Sequence, residues 1–306
     1  MKYIDLHTHT RYSDGTSTVE NSLKCAQSIG LSILSVSDHN TVAAYREIME
    51  KRELFSGKIL PAVELTAIIY GNVVEVLGYG IDISEIKKAI SENYLCFHDK
   101  QIAEAKNNVQ CLLNRGAKLD GDFVRCMLES PNSIFDPNKE SCRPALLTEL
   151  RRHRENAVFF KSQQEFETIG LGAFSRKYIY NPESSLYCDQ SSLFPSLRHV
   201  IDIIHSCGGL AFLAHAFIYT DGIVKNIDVM IDHGLDGLEC YYGTFNAQER
   251  DFLCKKCREH GIYMSGGSDF HGLDMRPDNI MGASSGVKIP ESLISDWKDI
   301  VSQKFI

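Results

Sequence analysis

The 306-residue chain has no apolar run approaching membrane-spanning length, and no basic segment followed by an apolar core at its start. With neither a membrane span nor a secretory leader to read, a cytoplasmic protein is expected. Positive charge is also short: 32 Lys and Arg against 40 Asp and Glu leave a formal net charge of -8. That disfavours a long electrostatic track for polynucleotide, but not a small phosphate, because bound metal ions can reverse the local field. Prolines are few and low-complexity runs are missing, as in an ordinary globular chain. Missing too is any second C-x-x-C beside Cys254 and Cys257 in "ERDFLCKKCREHG". A zinc ribbon needs another such pair and a redox motif needs a helix start. The stretch reads as a helix with Phe252 and Leu253 in apolar positions, so reduced thiols used in helix packing are expected.

What the chain does have is alternation. Strands are expected over residues 3–9, 32–37, 58–66 and 72–78, and helices over 19–29 and 42–54. The last third resumes this pattern with strands "GGLAFLAH", "LDGLECYY" and "IYMSGGSD" between helices at 195–207, 224–233, 247–260 and 290–302. Such alternation implies βαβ units and an α/β fold with a parallel sheet. Between about 98 and 194 the cadence is lost to a helical stretch (83–114), "ESPNSIFDPNKESCRPALLTELRRH" and a Ser-rich loop. The expected division is therefore a sheet-bearing domain over 1–97 and 195–306 and a mostly helical insertion over 98–194.

Ligand-type side chains recur at the ends of these strands. "YIDLHTHTRYSDG" places His7 and His9 at i and i+2, on one side of a strand, with Asp14 in the turn that follows. "VSDHNT" supplies Asp38 and His39, "PAVELT" supplies Glu64, "LAH" supplies His215, and "SDFHG" supplies Asp269 and His271. Ligands in α/β folds bind at the carboxyl edge of the strands, where one motif alone would carry little weight and five together carry much more.

In that order, "HTHTRYSDG", "SDHNT", the Glu of "AVELT", "LAHA" and "SDFHG" resemble the polymerase and histidinol phosphatase (PHP) superfamily of metal-dependent phosphoesterases. The resemblance implies a distorted (β/α)7 barrel holding two or three divalent metal ions (Mn, Fe or Zn). The implied metal ligands are His7, His9, Asp14, His39, Glu64, His215, Asp269 and His271, with Asp14, His215 and Asp269 as catalytic members. Two positions depart from the family pattern. Glu75 stands where relatives carry a histidine, and Ala145 follows Arg143-Pro144 where they carry another. Glu75 remains a competent, anionic metal ligand and Ala145 is none, so one ion is expected to be weakly held, differently ligated or absent.

The chemistry explains the residue types. A phosphate ester repels hydroxide, so its hydrolysis needs positive charge at the phosphoryl oxygens and a nucleophile generated at neutral pH, both of which paired metals provide. Mixed imidazole and carboxylate ligands suit Mn, Fe or Zn. The expected substrate is a small phosphorylated metabolite, a nucleotide or short oligonucleotide, attacked by a hydroxide shared between the metals. The alternatives are a histidinol-phosphate-type phosphatase and a catalytically weak, regulatory metal-binding scaffold. Arg143 is the leading phosphate-binding candidate, with Arg176 and Lys177 as possible helpers. Asp38 is expected to support a ligand rather than bind metal, and Glu239, at the end of "LDGLE", either does the same or is an ordinary polar strand end. His205, His233 and His260 precede glycines at helix ends and read as structural, whereas His98 and His153 could face the site from the insertion.

Overall fold

Short runs of aliphatic residues set the strands, because β-branched and large apolar side chains suit a pleated, buried surface. In the computed structural model, which describes residues 1–219 and 221–306, they form a mixed α/β architecture. β1 (Ile4–Asp5), β2 (Ile33–Leu34) and β3 (Lys58–Ile59) pair in parallel in that order. A five-stranded sheet runs β4 (Ala62–Ile69), β5 (Asn72–Tyr79), β6 (Leu210–Leu213), β7 (Gly237–Tyr241) and β8 (Tyr263–Gly266). There β6, β7 and β8 are parallel, and β5 runs antiparallel to β6. Backbone bonds continue past the sheets. Leu6 N donates to Gly266 O at 3.2 Å and Asp269 N to His7 O at 2.8 Å, and a parallel bridge joins His39 to Glu64.

The chain divides into two compact units, one of residues Met1–Ala67, Val74–Glu92 and Leu197–Ile306, the other of Ile68–Val73 and Asn93–Ser196. The first packs Ile4, Leu6, Leu77, Tyr79, Phe212, Ala214 and Trp297 into one apolar cluster. These residues explain where the polar end of the sheets lies. On β1 and β6 the apolar residues come first and His7 or His215 follows; on the reversed β5, Glu75 comes first and Leu77 and Tyr79 follow. Opposite strand directions thus deliver ligand-type residues to one end. The second unit has its own core, including Leu112, Met127, Leu146, Leu150, Phe166, Phe174 and Ile179. Its helices include Phe97–Asn114, Gly121–Glu129 and Arg143–Arg152.

Several expected elements are interrupted, among them the helix expected over 42–54, which gives Ala44–Glu50 and a 3-10 turn at Arg52–Leu54, and that over 224–233, which breaks between Lys225 and Ile227. The strand expected over 58–66 divides into β3 and β4, with Leu60 and Pro61 between them; Pro61 has no N–H to give a ladder. The helical stretch stops at Asn93 and restarts at Phe97, where the Cys96 Sγ caps Asp99 N. The closing segment is no α-helix: it contains a 3-10 turn at Glu291–Ile294 and a second at Ser302–Lys304. Serines and Asp296, which favour turns over helix interiors, surround the buried Trp297, whose indole N–H is anchored on Met264 O at 2.8 Å.

Candidate metal centre

The site is built on residues that continue or end the strands. Strand alternation puts His7 and His9 on one side, with their Nε2 atoms 3.0 Å apart. Glu64 on β4 faces them: its Oε2 lies 3.2 Å from each of those nitrogens and 3.0 Å from His39 Nδ1. Its Oε1 lies 3.0 Å from His215 Nε2. Asp269 Oδ1 approaches His7 and His9 at 3.3 and 3.1 Å and His271 Nδ1 at 3.3 Å. Asp14 Oδ1 is 3.1 Å from His271 Nε2 and 3.7 Å from His39 Nε2. Glu75 reaches His39 Nδ1 at 3.4 Å and His215 Nε2 at 3.3 Å. All nine side chains come together, in four overlapping groups whose ligand atoms lie within 4.8 Å of one another: His9–Asp14–His39–His271, His7–His9–Asp269, His7–Glu64–His215 and His39–Glu64–Glu75.

This donor set fits divalent cations. Glu64 Oε2 and His271 Nε2, both turned toward the cluster, are buried without a hydrogen-bond partner, an arrangement proteins ordinarily avoid. Lone-pair donors facing inward without satisfying one another are what a cation needs, and imidazole with carboxylate suits Mn, Fe or Zn. The backbone is strained at the same place: His215 has φ 29°, Asp269 φ 55° and Asn40 φ 51°, in the region L-residues avoid. Gly267 permits the tight approach of β8 to β1, since a Cβ there would lie 2.2 Å from His7 Cβ.

The crowding of charge shows in the titrations. Burial alone would push the His7 imidazole down, but Glu64, Glu239 and Asp269 outweigh it and hold it well above the ordinary histidine value. His9 is raised against burial and the neighbouring His271, through Asp269 and Glu64. His215 is raised against burial by Glu64 and Glu75. Glu64, although fully buried, lies well below the usual carboxylate range because His7, His39 and His215 surround it. Asp14 is likewise lowered against desolvation by His39 and His271, and Asp269 is lowered against burial by His7 and His271.

Neighbouring residues orient the ligand set. Glu239 Oε1 takes His7 Nδ1 at 2.9 Å and Oε2 takes the His215 N–H at 2.8 Å, so it buttresses two strand ends at once. Asp38 accepts from Thr10 N, Thr10 Oγ1 and Ser13 Oγ at 2.6–2.7 Å, which holds the turn that presents Asp14. Sequence reasoning missed three others. Tyr242 donates to Asp269 Oδ2 at 2.8 Å, Arg276 Nη1 donates to the same oxygen, and Tyr219 accepts from Glu75 N through its hydroxyl at 2.7 Å. Only Tyr242, the last residue of "LDGLECYY", carried a signal, that of a polar strand end.

The remaining candidates make other contacts. Arg143 belongs to the second unit, where its Nε meets Ser141 Oγ at 2.8 Å and Glu104 Oε1 at 3.8 Å. In the same unit, Lys177 pairs with Glu165 at 3.1 Å, Arg176 is exposed, and His98 and His153 meet Asp99 and Glu149. His205 and His260 bond Asp236 and Asp228, in keeping with structural roles at helix ends. Cys257 is buried with its sulfur 3.6 Å from that of Cys240, on the helix Ala247–His260, which fits packing.

The chain is similar to several known proteins. The chain is 25% identical over 288 residues to the 5'-3' exoribonuclease Rnm of Escherichia coli, covering 87% of this chain and 84% of the relative. It is 25% identical over 277 residues to a 3',5'-nucleoside bisphosphate phosphatase of Chromobacterium violaceum, covering 89% and 88%. Among solved structures, a metal-dependent phosphoesterase from Bifidobacterium adolescentis superposes with a TM-score of 0.61 at 23% identity, covering 98% of this chain and 96% of that one. No helix among the described residues is long and apolar enough to cross a membrane. The family model for the PHP domain matches residues 5–164, more than half of the 306 residues, and the chain belongs to that family.

Proposed function

We propose that this protein is a metal-dependent phosphoesterase that hydrolyses a phosphate ester of a nucleotide or short oligonucleotide. One observation carries the reading: nine imidazole and carboxylate groups from separated strand ends converge in overlapping sets of three and four. Because the sets share His7, His9, His39 and Glu64, they suit two or three neighbouring ions rather than four independent ones. When bound, such ions supply charge to the phosphoryl oxygens and lower the pKa of water from about 15.7 toward 7.

The chain's own residues do the rest. Glu239 accepts the His7 Nδ1 proton and so directs Nε2 inward, while Tyr242 holds Asp269 by one oxygen and leaves the other facing the imidazoles. Asp14, His39 and Glu75 are the partly exposed members, with 45, 22 and 25% side-chain exposure, and form the mouth through which an ester enters. Glu75 stands within reach of His39 and His215, which favours an anionic ligand in place of the family's histidine over a lost third position. The insertion, residues 98–194 in this reading, serves as lid and substrate-binding part, with Arg143 as its phosphate contact. The Leu6–Gly266 hydrogen bond and the His39–Glu64 bridge support treating the two larger sheets as one distorted (β/α)7 barrel. The relatives' names support a nucleotide or an RNA end, so both belong in the test.

Protein reconstituted with Mn²⁺ is to be assayed against nucleoside monophosphates, 3',5'-bisphosphates, a short 5'-phosphorylated oligoribonucleotide and an amino-alcohol phosphate. Turnover of a nucleotide or RNA end is expected, and Asp14→Ala or His271→Ala abolishes it. Full activity in both variants contradicts the proposal. Fewer than two bound ions and no turnover would favour the regulatory scaffold instead.

A further inference from the structure

Arg276 lies in the loop after His271, where the N–H groups of Met275 and Arg276 both donate to Gly272 O at 3.2 Å. That turn carries the side chain back onto Asp269. The two oxygens of Asp269 then have different neighbours: Oδ1 faces His7, His9 and His271, and Oδ2 accepts from Tyr242 and Arg276. Among the described residues, Asp269 is the one side-chain hydrogen-bond partner of Arg276. A guanidinium has five N–H donors in a planar fork, so most of this one's donors remain uncommitted. Its side chain is 35% exposed, against 2% for Asp269 and 0% for His7 and His9, so the fork stands at the mouth rather than on the floor.

Charge balance says what the fork is for. Asp14, Glu64, Glu75, Glu239 and Asp269 make the site strongly negative. Two divalent ions leave one of these negative charges unbalanced and three leave none, but in either case an incoming phosphate adds negative charge. A permanent cation at the rim offsets that charge, and its planar geometry matches two phosphoryl oxygens. We propose that Arg276 is a substrate-binding residue that grips the phosphate of the ester from the loop after His271. This rests on the phosphoesterase reading above, and it adds to Arg143 a phosphate contact that belongs to the same unit as the imidazoles.

The test measures binding of inorganic phosphate to the Mn²⁺-loaded protein by calorimetry, alongside Mn²⁺ stoichiometry and the split between KM and kcat. Arg276→Ala is expected to weaken phosphate roughly tenfold or more and to raise KM in step, with Mn²⁺ stoichiometry unchanged. Arg276→Lys recovers part of the loss, since it restores the charge without the fork. Arg276→Gln, compared by thermal melt, serves if the alanine variant folds poorly. Unchanged phosphate affinity in a variant of an active enzyme overturns the proposal and leaves the phosphoesterase reading standing. Loss of Mn²⁺ with phosphate affinity preserved also overturns it, reducing Arg276 to a support for Asp269. If wild-type protein binds phosphate but hydrolyses no ester, the phosphoesterase reading falls, and the affinity difference still decides whether Arg276 holds phosphate.

Discussion

The second unit and the candidate centre use their charged side chains in opposite ways. In the second, charges close on near neighbours. Glu104, buried, takes the Tyr180 hydroxyl at 2.6 Å and faces Arg143 at 3.8 Å. Glu149 takes His153 and Arg152 at 3.0 and 3.2 Å, and Glu165 takes Lys177 and Tyr178. In the first unit, Glu64 approaches four imidazoles, yet one of its oxygens has no hydrogen bond. A satisfied network rigidifies a fold, whereas an unsatisfied buried one costs stability and persists where function requires it. The contrast separates ionisable groups that build structure from those held ready for cations.

The sharpest way to break this comparison is to remove Glu64. Glu64→Ala takes a ligand from two of the four overlapping groups, so loss of at least one bound ion and of turnover by ~10³-fold or more is expected. Elemental analysis beside a phosphate-release assay checks it. Full metal content would mean that the convergence around Glu64 is not a metal site. A smaller loss is expected for Glu239→Gln, which weakens the support of His7 and His215 without touching the cluster. Metal affinity should fall about 10–100-fold in a competition titration. An unchanged affinity would make Glu239 an ordinary buried acid.

The pH dependence compares one unit with itself, with and without metal. Metal-free, the raised values of His7, His9 and His215 contribute stability that is present below about 6.5 and lost as pH rises through their folded values. The lowered values of Asp14, Glu64 and Asp269 contribute stability present above about 4.5 and lost as pH falls. The chelated protein should therefore melt highest between about pH 4.5 and 6.5 and lose stability toward pH 9. Mn²⁺ binding needs neutral imidazoles and displaces protons, so the stabilisation added by Mn²⁺ should grow over the same rise. Parallel melting curves with and without Mn²⁺ would contradict the convergence of charge described here.

Much of the candidate centre was legible because its members sit in short motifs at strand ends, where a period of two decides which side chains share a face. His7 with His9 is such a pair, and Asp269 with His271 shows the same spacing although Asp269 leaves the extended backbone with φ 55°. Glu75 was legible only as a substitution in a familiar pattern, since a lone Glu in "NVVEVLG" carries no periodic mark. Arg276 was not legible at all: it reaches Asp269 through a turn closed on Gly272, and loop residues obey no repeat. The interruptions at Pro61, after Asn93 and around Trp297 escaped for a related reason. Apolar periodicity runs on through a break that one missing N–H or a few turn-forming side chains impose. The mixed α/β character was plain from alternation, while the antiparallel direction of β5, which places Glu75 in the first half of its strand rather than at the end, had no mark in composition.

The smallest expected effect tests the other side of the comparison. Glu104→Gln keeps the shape and removes the charge that faces Arg143 and accepts from Tyr180. Leaving a guanidinium beside a neutral amide in a buried setting should cost about 1–3 kcal/mol. If the second unit's charges are structural, melting falls by a few degrees, and Mn²⁺ content and affinity stay at wild-type values. Should Arg143, released from its carboxylate, instead lower KM for the phosphorylated substrate, then Glu104 restrains a phosphate-binding residue. The division between charges that build and charges that bind would then run through the insertion itself, and Arg143 would join Arg276 in holding the ester.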